Sequence, residues 1–172
     1  MIQRVNGSRP DIPRDAYVHP SAMVIGRVKL GKQTNVWPGT VIRGDLAPII
    51  IGERTNIQDG CILHTGTRLQ LHIGSGVVVG HRAILHSCDI GDGAMIGMGA
   101  IVMGAASIGE HSIVGAGSLV PQGFVVPPRS VAVGSPCRVI REVTEEEIKD
   151  TEARCERYIE MAQTYVRTGE IL

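Results

Sequence analysis

Aromatic side chains are scarce: Trp37, Phe124 and three tyrosines are all that the 172 residues contain. A core built without large rings must be narrow and regular. Cysteine pairing is missing as well. Cys61, Cys88, Cys137 and Cys155 are scattered without a C-x-x-C spacing, which excludes a disulfide framework and a thiolate zinc cluster. No one sign of charge dominates, since Lys plus Arg equals Asp plus Glu at 17 each. With no basic cluster interleaved with aromatics, nucleic acid is not an expected partner. No stretch reaches the ~20 apolar residues that span a bilayer, and residues 1–7 carry no signal-type apolar run, so a cytoplasmic protein with no membrane attachment is expected. No Gly/Ser linker divides the chain, and one main domain is expected.

Glycine, at 22 residues, and aliphatic side chains in strict period fill the sequence instead. Ile, Val or Leu stands at Val18, Val24, Leu30, Val36, Ile42, Ile51, Ile57, Leu63, Ile73, Val79, Leu85, Ile90, Ile96, Val102, Ile108, Val114, Val120 and Val126. The step is six except where it slips after Ile42, Leu63 and Leu85. Four residues after most of these comes a small one, such as Ala22, Thr34, Ala94 or Ser112, while Leu46, Asp89 and Phe124 break the rule. A period of six matches neither a helix nor a long plain strand, but fits short strands joined by regular corners. The small residue, and the glycine that often follows the aliphatic one, are expected to let the chain turn. One such coil cannot bury its apolar face alone, so coils must stack ~4.8 Å apart. Eighteen strands at three per coil predict six coils of a parallel β-helix over residues 16–139, after an N-terminal segment of residues 1–15. An antiparallel sandwich does not account for so strict a phase.

Beyond Gly134 the pattern becomes helical. Thr144 and Glu147 make a capping box, an apolar stripe runs through Ile148, Thr151, Cys155, Tyr158, Ile159, Ala162 and Tyr165, and Gly169 is a stop. A helix over residues 144–169, packed on the β-helix, is predicted.

The same phase sorts the polar residues into columns. Arg43, His64 and His86 each follow an aliphatic residue of one wall by a single position; Asp59 and His81 follow those of the preceding wall by two. Stacked imidazoles ~5 Å apart suit one ion at Zn–N distances of ~2.1 Å. His81 is too far along the chain to join that ion, but in a cyclic homotrimer the His64/His86 column of one subunit faces the His81 of the next. Three histidines leave a fourth position open, as in catalytic rather than structural zinc. Cobalt and iron suit imidazole equally. His19, His72 and His111 read as solvated surface residues.

Val41-Ile42-Arg43-Gly44-Asp45, Asn56-Ile57-Gln58-Asp59-Gly60 with His64, and Gly80-His81-Arg82-Ala83-Ile84-Leu85-His86 resemble the gamma-class carbonic anhydrases and their bacterial hexapeptide-repeat relatives. The resemblance covers about residues 16–139 and implies a left-handed helix. It implies that His64, His81 and His86 are the metal ligands and that Gln58 orients the attacking hydroxide. Arg43 and Asp59 would pair across the trimer interface, Asp45 would support them, and Asn56 would belong to the turn beneath. The implied reaction is reversible hydration of carbon dioxide to bicarbonate. One departure concerns proton export: residues 65–72 contain no Asp or Glu where the best-known member has an acidic loop, leaving buffer or His72 as carrier. Competing readings are a hexapeptide acyltransferase with a histidine base, a metal-dependent esterase or thioesterase, and a non-catalytic metal-binding scaffold.

Overall fold

The computed structural model describes residues 1–169. The chain winds into a three-walled parallel β-helix of about seven turns, with one C-terminal helix. The first wall stacks Val18, Val36, Ile57, Val79, Ile96, Val114 and Ala132 in register. The second stacks Val24, Ile42, Leu63, Leu85, Val102 and Val120, and the third Leu30, Ile51, Ile73, Ile90, Ile108 and Val126. Val18 is half-buried at the open end; every other position of the six-residue phase is buried. The winding goes one strand beyond the six coils expected, because Ala132 occupies a core position that a search for Ile, Val and Leu passes over. The strand Cys137–Glu142 then folds back antiparallel on Ser130–Gly134. At the other end Ile2–Gln3 adds a parallel strand beside Met23–Leu30, a pairing that its short, exposed sequence did not announce.

The small residues lie at the inner corners, where Thr34, Thr40 and Thr55 are fully buried. Their hydroxyls donate to backbone carbonyls of the next coil: Thr34 to Gly52 at 2.8 Å, Thr40 to Gln58 at 2.7 Å and Thr55 to Gly74 at 2.7 Å. Buried polar atoms are thereby satisfied and adjacent coils pinned. The glycines directly after the aliphatic residues serve a purpose other than turning. A Cβ on Gly52 would lie 2.5 Å from the carbonyl carbon of Gly74, so glycine there allows coils to approach. Turning falls to residues two places later, such as Gly60 with φ +69°.

All three slips of the period fall on one corner, between the second and third walls. The strand Val41–Ile51 runs through that corner on one coil, and loops interrupt it on the next two. The corner therefore carries the irregular backbone of the molecule next to the histidine column.

The helix Glu145–Thr168 starts with both halves of the capping box formed and buries Ile148, Thr151, Cys155, Ile159 and Ala162. Its ~36 Å length matches the ~29 Å rise of seven stacked coils. It starts at the last coil, where Glu145 pairs with Arg129, and ends at the first, where Tyr165 meets Tyr17 edge-on at 6.2 Å. No helix of the described residues is long and apolar enough to cross a membrane.

Candidate metal centre

The strands Val41–Ile51, Ile62–His64 and Ile84–His86 pair in parallel, placing Arg43, His64 and His86 on successive coils of the second wall. The His64 and His86 rings lie 5.4 Å apart at 57°. Asp45 links this column: Arg43 Nη1 donates to its Oδ2 at 2.5 Å, and its Oδ1 lies 3.1 Å from His64 Nε2. Burial pushes the Asp45 carboxyl up, but hydrogen bonds from Arg43 and His64 outweigh it and hold the group below its ordinary value.

On the first wall, His81 Nδ1 sits 3.0 Å from Asp59 Oδ2. Within one chain Arg43 therefore pairs with Asp45, and Asp59 with His81, rather than Arg43 with Asp59. Each of these carboxylates occupies one ring nitrogen and leaves the other bare, the arrangement in which a carboxylate orients a metal-ligating imidazole. Among the described residues, no three His, Cys, Asp or Glu side chains of one chain converge where they could hold an ion. The donor set is nitrogen-rich and split between two walls. Three imidazoles, two of them backed by carboxylates, fit a zinc-type ion, provided two chains meet.

Gln58 and Asn56 belong to a buried relay. The Trp37 indole N–H donates to Asn35 Oδ1 at 2.8 Å, and Asn56 Nδ2 donates to the same oxygen at 2.6 Å. Gln58 Nε2 donates to Asn56 Oδ1 at 2.9 Å, and Gln58 Oε1 accepts from the His81 backbone N–H at 3.2 Å. The indole can only donate, so it fixes the orientation of each amide in turn and aims the Gln58 oxygen at His81. Asn56 thus lies in a strand, stacked on Asn35, and not in the turn that the resemblance implies. The column rule could have found this relay, because Asn35 and Asn56 each precede a first-wall aliphatic residue by one.

A cavity of about 180 Å³ borders Gln58 and His81 and is walled by Met95, Met98, Arg154 and Tyr158. The sequence showed Tyr158 only as part of the helix stripe; burial and the Asp59 charge push its phenol above the ordinary value. His72 pairs with Asp89 at 3.0 Å on the third wall, away from the His64/His86 column. His111, read as solvated, packs over Gly93 with its Nδ1 buried and unpartnered among the described residues.

The bacterial transferase hexapeptide family (six repeats) matches residues 87–122. The chain is 45% identical over 165 residues to a carbonic anhydrase of Geobacillus kaustophilus, covering 96% of this chain and 91% of that protein. It is 38% identical to the mitochondrial gamma carbonic anhydrase 2 of Arabidopsis thaliana, over 95% of this chain and 61% of the plant protein. A hexapeptide transferase family protein from Anaplasma phagocytophilum superposes with a TM-score of 0.92 at 40% identity, covering 95% of this chain and 97% of that one. With the hexapeptide walls, the histidine columns and this similarity over nearly its whole length, the chain belongs to the gamma-class carbonic anhydrase-like family of left-handed hexapeptide-repeat proteins.

Proposed function

We propose that the protein catalyses reversible hydration of carbon dioxide to bicarbonate at zinc-type centres shared between the subunits of a homotrimer. The observation that carries this reading is the split of the imidazoles: His64 and His86 on the second wall, His81 on the first, and, among the described residues, no complete ligand set in one chain. An exposed aliphatic column of Ile62, Ile84 and Ile101, each more than a third exposed, runs beside His64 and His86 and supports an interface on that face. Four free, buried cysteines agree with a reducing, cytoplasmic setting.

A bound zinc ion supplies Lewis acidity that brings the pKa of water down to ~7; cobalt or iron suits the same imidazoles. The remaining work belongs to the chain. Asp45 and Asp59 hold the tautomers of His64 and His81. Gln58, locked by Asn56, presents a fixed polar edge to the attacking water beside His81. Arg43 fixes Asp45 and, in this reading, would pair with the neighbour's Asp59 at the boundary and set subunit register. The proton leaves to buffer, since residues 65–72 carry no carboxylate and His72 is engaged on another wall.

A second reading, acyl transfer, is favoured by the likeness to the hexapeptide transferase family protein. Metal dependence separates the two, because a chelator abolishes hydration and spares a histidine-based transferase. The test is metal analysis of the purified protein with stopped-flow hydration of carbon dioxide, repeated on His81→Ala. Loss of metal and hydration with the β-helix intact is expected; full metal occupancy in the variant would refute the ligand assignment.

A further inference from the structure

The irregular corner between the second and third walls carries a cavity of about 400 Å³, bordered by loop 66–69 on one side and by His86, Met103 and Gln122 on the other. Ser87, the residue after His86, holds the loop at both ends. Gly66 N–H donates to Ser87 Oγ at 2.8 Å, and Ser87 Oγ donates to Leu69 O at 3.0 Å. The loop is thereby tied to the backbone that carries His86. Ser87 is buried with φ +48°, a conformation a β-carbon disfavours, so surrounding structure must hold it there.

The lining is chemically mixed. Arg68 forms no ion pair among the described residues, and Gln122 offers an amide in the same lining. Leu69 and Met103 are 48% and 41% exposed and supply apolar surface in the same cavity. A cation with an amide selects a carboxylate; two uncovered apolar side chains select a hydrocarbon tail. The volume lies in the ~300–1,000 Å³ range of small-molecule sites and far exceeds what bicarbonate fills.

We infer that this cavity is a carboxylate subsite of the metal centre. It takes a small organic acid with a short aliphatic tail, the carboxylate on Arg68 and Gln122 and the tail on Leu69 and Met103, against His86. The inference rests on the proposed function for its meaning, a second ligand class at that centre, but its binding test does not need the metal.

The protein is labelled with ¹³C at its methionine methyls, stripped with a chelator, and titrated with butyrate while methyl spectra are recorded. The Met103 methyl is expected to shift saturably while Met161, on the C-terminal helix, stays put. Butan-1-ol, which keeps the tail and lacks the carboxylate, is expected to leave Met103 unmoved at the same concentrations. Arg68→Gln, an exposed change outside the core, is expected to weaken butyrate binding at least fivefold. No saturable shift at Met103, an equal shift at Met161, or unchanged binding in Arg68→Gln overturns the subsite. Failure of the metal assignment shows up in metal analysis and leaves these titrations as they are.

Discussion

Replacing Asn56 by leucine tests the amide relay, since it keeps the number and branching of side-chain heavy atoms and removes both of the hydrogen bonds that pass through this side chain. Asn56 is fully buried and Gln58 is 4% exposed, so bulk solvent replaces little of what is lost. Asn35 Oδ1 keeps its bond from Trp37, and losing the Asn56 donor there costs ~0.5–1.5 kcal/mol. Gln58 Nε2 is stranded without an acceptor, at ~1–3 kcal/mol. Leucine leaves no cavity, and the two hydrogen-bond losses total about 1.5–4.5 kcal/mol, with any crowding by its larger methyls adding to that. Trp37 is the single tryptophan and is buried beside the relay, so its emission follows unfolding in urea. Protein concentration is held fixed, because any association of subunits would contribute to apparent stability. An unlocked Gln58 also loses its aim, and hydration activity is expected to fall ~10–100-fold, the usual effect of removing an outer-shell partner. A change under ~0.5 kcal/mol with full activity would refute the relay. Destabilisation with full activity would refute its role in aiming Gln58.

Other perturbations probe the frame. Leu63→Ala, in the fully buried column of the second wall, is expected to cost about 2–5 kcal/mol in urea unfolding. Thr144→Ala removes the helix cap and is expected to cost ~1 kcal/mol, read as earlier melting of helical circular dichroism. Hydrogen bonds from Arg141 and Thr144 bring the Glu147 carboxyl from 4.5 to about 2. Its contribution is therefore complete above 4.5 and is lost as pH falls toward 2, so the stability difference between wild type and Glu147→Gln shrinks over that window. Burial pushes the thiols of Cys61 and Cys88 up to about 12, so a thiol reagent at pH 8 should label neither until denaturant is added.

The winding was legible because one rule, an aliphatic residue every six positions, holds on all three walls at once. The same rule placed Arg43 over His64 and His64 over His86, since residues at equal offsets on successive coils must stack. Legibility failed where the rule is silent. Ala132 continues the first wall with a side chain too small to register as core, and Ile2–Gln3 pairs at an edge that imposes no phase. The glycines after the aliphatic residues are ambiguous in sequence, because close approach of coils and reversal of direction favour the same residue for different reasons. At the centre, the pairing of Asp45 with both Arg43 and His64 depends on the backbone passing through the slipped corner, which the period does not describe. Ser87 is the sharpest case, since a serine beside a histidine carries no sequence signal for clasping a loop at both ends.

If the ion is held between two chains, mixing subunits that each carry part of the ligand set restores it. Subunits carrying His81→Ala keep His64 and His86, while subunits carrying His64→Ala with His86→Ala keep His81. Each alone should be metal-free. Dissociated and reassembled at equal ratio, random trimers contain one correctly ordered junction whenever they are mixed, so about a quarter of the sites should regain metal. Metal in either parent, or none in the mixture although mixed trimers form, would contradict a centre built from two walls of two chains.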